Sequence, residues 1–144
     1  MNDNLSVKKL ATDALVSWEE LKELAETVDS NLTALELSPN NPIFSYDGNR
    51  FEAVILGFKI TSVKKIVSIE GSIEFMEYSF IHSRGKGETV LLNLYLDKMG
   101  NIWMDAEQNK RFCDYNNQAL AKNTYEQLIV ILASSDLTKP SALN

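Results

Sequence analysis

The sequence has a single cysteine, a single histidine and three prolines in 144 residues, and no apolar run long enough to cross a bilayer. Each shortage removes a class of protein. One thiol, Cys113, forms no internal disulfide, so nothing covalent staples the fold and a reducing compartment suits it. One imidazole, His82, beside that one thiol leaves a structural zinc site short of its usual nitrogen and sulfur ligands. Apolar stretches such as "AVILGF" have the length of a buried strand, far short of the roughly 18 residues of a membrane helix. The start, "MNDNLSVKKLATDALV", lacks the apolar core of a secretory leader, so the expected location is cytoplasmic.

Positive charge is also scarce. Twenty acids against fourteen bases give a net charge of −6, which opposes attraction to phosphate backbones and argues against nucleic acid as a partner. The imbalance is local, because residues 1–40 hold eight acids and three bases while the rest of the chain is nearly neutral. Apolar residues make up 44% and charged residues 24%, ordinary for a folded domain. A chain of this length can bury roughly two-thirds of its unfolded surface, and with no repeats or linker-like stretches it reads as one domain, residues 1–144.

What the sequence does contain is periodicity. Ala11, Ala14, Trp18, Leu21, Ala25, Val28, Leu32 and Leu35 recur in steps of three and four, the spacing of one helical face. Glu19, Glu20, Glu23, Glu26 and Asp29 are expected on the outer side, opposed only by Lys22. Ser17-x-x-Glu20 has the form of a capping box and offers an alternative start at Trp18. "SPNNP" then stops the helix, since Pro39 and Pro42 remove donors and bias the preceding residues towards extended backbone. Residues 1–38 are therefore expected to be mainly helical.

From residue 43 to 106 the period shortens to two. "FEAVILGFKI" reads as a central strand covered on both sides, and "VKKIVSI" and "SIEFMEYSFIHS" continue the extended pattern. "TVLLNLYLD" sets Val90, Leu92, Leu94 and Leu96 on one face against Thr89, Asn93, Tyr95 and Asp97 on the other. Asp47-Gly48-Asn49 and "SRGKGE" supply turns. Helical spacing returns over 116–135, capped by Asn116 or Asn117, and 136–144 reads as a loose tail. The expected fold class is α+β, an antiparallel meander of four to six strands packed against an N-terminal amphipathic helix and a C-terminal helix.

Several residues invite chemistry. "YLDKMGNIWMDAEQNK" gathers Asp97, Asn101, Asp105 and Glu107, but a calcium loop counted from Asp97 would need an oxygen ligand, a glycine and a glutamate where Met99, Ile102 and Gln108 stand, so a turn at Gly100 is the simpler reading. "SRGKGE" lacks the spacing of a phosphate loop. Cys113 lies between Arg111 and Asp114 and reads as a small buried hydrophobe. His82 has no partner that the sequence can place beside it. No catalytic constellation, cofactor fingerprint or metal motif is formed, which points away from an enzyme.

The leading expectation is a non-catalytic acidic protein-binding module. An immunity or inhibitor protein that neutralises a basic toxin or nuclease is the concrete form, with Glu19, Glu20, Glu23 and Glu26 steering a basic protein partner. Tyr95 and Trp103 would form an aromatic platform if they project together across a hairpin. The alternatives are a small-molecule binder or enzyme using His82, Tyr78 and Glu77 in a cone-like pocket of a curved sheet, and a homo-oligomeric structural or chaperone protein, such as a homodimer pairing through the Trp18–Leu35 stripe.

Overall fold

The structure, a computed structural model, describes residues 3–38, 41–47, 50–85 and 87–135. The expected turn residues Gly48 and Asn49, Pro39, Lys86 and the tail from 136 lie outside the described residues. Helix α1 spans Asp3–Leu32 and helix α2 spans Leu120–Ser134. Strands β1 (Glu36–Ser38) and β2 (Asn41–Pro42) form a small ribbon of their own. Strands β3 (Ser45–Tyr46), β4 (Phe51–Ile55), β5 (Phe58–Ile69), β6 (Ser72–Arg84), β7 (Gly87–Asp97), β8 (Asn101–Trp103) and β9 (Arg111–Asp114) make one antiparallel sheet in sequential order. The fold is α+β, with two helices on one side of a curled meander.

The sheet holds seven strands because two segments behave differently from their sequence pattern. "FEAVILGFKI" is not one strand: Leu56 and Gly57 both take positive φ, 52° and 82°, and close a two-residue turn between β4 and β5. A leucine at the first turn position hides that signal. Glu70 and Gly71 repeat the same device between β5 and β6. "RFCD" adds β9 against β8.

Alternation then sorts the side chains. Met76, Tyr78 and Phe80 of β6 share a face with Leu92, Leu94 and Leu96 of β7, and on this face Leu21, Ala25, Val28 and Leu32 of α1 and Leu120, Leu128 and Leu132 of α2 complete the core. A register shift between Phe80 and Ile81 breaks the β7 pattern, so Leu91 and Leu92 are both buried and Val90 faces solvent. Further bulges at Val67/Ser68 and Ile102/Trp103 add twist and curl the sheet.

Helix α1 runs unbroken through Ser17, so the alternative start at Trp18 is not used. Its apolar stripe packs only from Trp18 onward, where the sheet lies beneath it. Further towards the N-terminus Ala14 is half-buried beside the β5–β6 turn, while Leu10 and Ala11 are exposed. The helix ends at Leu32, short of the expected Leu35, with Thr33 Oγ1 donating to the Ser30 carbonyl at 2.9 Å. Asn31 Nδ2 ties this end to the Tyr115 carbonyl at 3.2 Å. Since Leu21, Ala25, Val28 and Leu32 are at most 4% exposed, the stripe between Trp18 and Leu35 is occupied by the chain's own sheet and offers little area to a second copy.

One strand edge is only partly covered. Strand β4 pairs with β5 only over Phe58–Thr61. Beyond it Phe51 N–H donates to Ser62 Oγ at 3.0 Å, and from Val63 to Ile69 no strand flanks the outer side of β5 among the described residues.

Candidate partner-binding surfaces

Between α1 and this distal part of β5 lies a cleft of about 520 Å3, lined by Trp18, Lys22, Ala25, Glu26 and Asp29 of the helix, Lys64, Lys65 and Ile66 of β5, and Tyr46 and Met76. The volume falls in the range of small-ligand and side-chain pockets. The helical residues recur at three- and four-residue steps, so they share one flank of α1, while Ile66 and Met76 are register partners on the helix-facing side of the sheet. The cleft is thus apolar at its floor and charged at its rim.

Its inner end is fixed by a polar cluster. Lys64 Nζ lies 2.7 Å from Asp29 Oδ2 and 3.2 Å from the Tyr46 hydroxyl, and Tyr78 OH donates to Asp29 Oδ1 at 3.3 Å. Burial alone would lower the Lys64 pKa. The hydrogen bonds to Asp29 and Tyr46 and their charges outweigh burial and leave the ammonium above its usual 10.5. Burial, followed by the Asp29 charge, pushes the Tyr78 phenol well above 10.0. Charged groups at inward positions of both a helix and a strand are compensated only because they meet. Sequence reasoning placed both Asp29 and Lys64 in solvent and did not pair them. The available signal was position: Asp29 follows Ala25 by four residues, and Lys64 continues the inward series Ile60, Ser62.

Glu19, Glu20, Glu23 and Glu26 are all exposed, and Glu26 also borders the cleft. Tyr95 and Trp103 are register partners across β7 and β8, as an aromatic platform requires, but on the sheet face away from the helices. The acidic helix and the aromatic pair therefore do not form one surface. Each ring is tethered. Trp103 Nε1 donates to Asp97 Oδ2 at 2.9 Å, and Tyr95 stands edge-on to Phe75 with centroids 6.0 Å apart. Burial and a hydrogen bond with Glu77 raise the Tyr95 pKa.

Asp97 accepts from four donors: the backbone N–H groups of Met99 and Asn101 through Oδ1, and Trp103 Nε1 and Gln108 Nε2 through Oδ2. Both oxygens are committed to holding the β7–β8 turn. Asp105 caps the next loop through the N–H groups of Asn109 and Lys110. Among the described residues no three His, Cys, Asp or Glu side chains converge as metal ligands.

The trio His82, Tyr78 and Glu77 is not brought together. Tyr78 and His82 face the helices, while Glu77 faces the other way beside Ser79 and Lys65. His82 is a packing residue, its Nδ1 3.1 Å from the Lys59 carbonyl and its ring edge-on to Phe58 at 5.1 Å. Cys113 is buried, and burial, with the Asp114 carboxylate outweighing Arg111, raises its thiol from 9.0 to about 11, so it stays protonated at neutral pH. No described helix is long and apolar enough to cross a membrane. The chain matches no protein family, no curated protein and no solved structure.

Proposed function

We propose that the protein is a non-catalytic binding module whose acidic helix docks a basic protein, in the manner of an immunity or inhibitor protein that covers a toxin or nuclease. The observation that carries this reading is the exposure of Glu19, Glu20, Glu23 and Glu26 within eight consecutive residues of α1, a stretch whose only cation is Lys22. Carboxylates so placed steer an oppositely charged surface into contact and repel acidic ones. The protonated thiol of Cys113 and the packed ring of His82 argue in the same direction, since each is held in the form and place of a structural residue.

The test is binding to basic proteins encoded beside this chain, measured by calorimetry at low salt and at about 0.5 M salt, where the screening length falls to a few ångströms. Affinity should drop at least about tenfold with salt and again in the Glu19→Lys/Glu23→Lys double variant. Binding that ignores both salt and charge reversal would overturn the proposal.

A further inference from the structure

We propose that two copies of this chain pair antiparallel through residues 63–69 of β5, about a two-fold axis at Ile66, and so join their sheets into one. The interface is separate from the acidic exterior of α1 and from the buried stripe of that helix.

The backbone supplies the first argument. Two-residue turns close β5 at both ends, through the pairs Ile55–Phe58 and Ile69–Ser72, and such closing pairs exchange both of their backbone hydrogen bonds. Lys64, Ile66 and Ser68 therefore direct their N–H and C=O outward, where no described strand receives them. The free length is bounded on one side by Phe51, whose N–H meets Ser62 Oγ, and on the other by the Glu70–Gly71 turn. With the axis at Ile66, residues 63–69 of one copy lie along residues 69–63 of the other. Every outward donor and acceptor is then matched, through the pairs Lys64–Ser68 and Ile66–Ile66.

The side chains are self-complementary in the same register. Val63, Ile66 and Ile69 are 44%, 40% and 45% exposed and stand three residues apart, so the two-fold sets Val63 against Ile69 of the second copy and Ile66 against itself. Neighbouring registers fail. An axis at Lys65 would oppose that lysine to its own copy, and one at Val67 would leave Val63 opposite Gly71. With the axis at Ile66, Lys64 faces Ser68 and Lys65 faces Val67. Both lysines are already neutralised within their own chain, by Asp29 and Glu77, so the edge brings no unpaired charge to its copy.

Helix α1 supplies an independent argument. Asp29 meets Lys64, while Ala14 and Ser17 line a pocket with the Glu70–Ile73 turn, so α1 runs antiparallel to this part of β5. At about 3.3 Å per strand residue and about 1.5 Å per helical residue, the step from Lys64 to Ile66 corresponds to roughly four helical residues, from Asp29 to Ala25. Ala25 and Ile66 do line the same cleft. Lys22 and Glu26, on the rim of that cleft, thus lie on either side of the axis, and neither joins an ion pair among the described residues. The two-fold carries each cleft to face the other, with Lys22 of one helix across from Glu26 of the second. Three strand spacings of about 4.8 Å separate the two β6 strands, a gap that two long side chains can bridge. A foreign strand would have to reproduce both the apolar series and the charge pair, whereas a second copy carries them by symmetry.

Sedimentation equilibrium of the full chain should show a monomer–dimer equilibrium with a dissociation constant of about 1–100 μM, as suits a small interface. Ile66→Lys, which opposes two ammonium groups at an exposed site, should weaken pairing at least about tenfold while circular dichroism shows the fold intact. Lys22→Glu should weaken it roughly three- to tenfold, and adding Glu26→Lys should restore it. Oxidation reads the register: Ile66→Cys should cross-link with itself, and Val63→Cys only when mixed with Ile69→Cys, because opposed Cα atoms lie about 4.5–5.5 Å apart, within disulfide reach. Glu19→Lys/Glu23→Lys should leave pairing unchanged, which separates this interface from the acidic face. The proposal is overturned by a chain that stays monomeric at about 0.5 mM, by a dimer that a folded Ile66→Lys leaves intact, or by Val63→Cys cross-linking with itself where Ile66→Cys does not.

Discussion

Removing the Asp29 carboxylate should cost the fold far more than removing a surface acid. In Asp29→Ala the Lys64 ammonium loses its 2.7 Å partner and the Tyr78 hydroxyl, on a side chain 2% exposed, loses its acceptor. Breaking a fully buried ion pair from one side costs roughly 3–5 kcal/mol. Lys64 keeps 19% exposure and the Tyr46 hydroxyl at 3.2 Å, so solvent and that hydroxyl recover part of the loss. The expected cost is about 2–3 kcal/mol, a fall in Tm of roughly 5–10 °C for a domain of this size. Asp29→Asn, which keeps an acceptor for Tyr78, should cost about half as much. Adding Lys64→Met to Asp29→Ala should restore stability, because an apolar pair leaves no orphaned charge. Urea unfolding followed by circular dichroism measures all three. A loss below about 0.5 kcal/mol in Asp29→Ala, the value of a surface pair, would refute the reasoning, as would a double variant weaker than the single one. The pH dependence has a definite sign. The folded pKa values of Lys64 and Tyr78 lie above their unfolded values, so their contribution is complete below about pH 10 and is lost as pH rises through the folded values.

Three further outcomes are expected. Gly100→Ala should destabilise by roughly 2–4 kcal/mol in the same unfolding assay, because a Cβ there would lie 2.5 Å from Tyr115 Cδ1 on a backbone with φ +87°; a loss under about 0.5 kcal/mol would mean that Tyr115 yields freely. Cys113 should react with a disulfide reagent at pH 8 about 100-fold more slowly in the folded than in the unfolded chain, since its thiol is raised from 9.0 to about 11; the same shift means stability falls as pH rises from 9 to about 11, and Cys113→Ala should delay that fall. Thr124→Val should raise Tm by a few degrees, because Thr124 Oγ1 is buried without a hydrogen-bond partner among the described residues; a lower Tm would show that the hydroxyl is satisfied.

The parts of the fold that sequence reasoning reached are those governed by local period. The helical stripe from Trp18 to Leu32, the alternation of Leu92, Leu94 and Leu96, and the turn at Gly100 each depend on residues within a few positions of one another. The parts it missed have other causes. A turn beginning with Leu56 looks like strand, because its positive φ is set by pairing on either side and not by the residue's own preference. Val90 faces solvent because of a bulge one residue away. The exposed N-terminal end of the Ala11–Leu35 stripe depends on what packs beneath it, which no window of the helix can show. The acidic face was legible because exposure is the default for glutamate, whereas the projection of Tyr95 and Trp103 away from that face depends on which side of the sheet the helices cover.

The Asp29–Lys64 cluster shows what kind of sequence signal such a cleft leaves. A carboxylate on the inward stripe of a helix and an ammonium on the inward parity of a strand each break the pattern of their own element, and each alone would be expensive to bury. Two such breaks of opposite sign are mutually compensated only if the helix lies across that strand, so together they specify packing between elements 35 residues apart. They also set where the apolar core must end, since water has to reach Lys64 in part. The cleft opens at that boundary, beside α1, where no described strand flanks the outer side of β5 from Val63 to Ile69. Oppositely charged exceptions to an amphipathic pattern therefore mark the seam of this fold, where helix and sheet meet and the apolar core gives way to a polar cleft.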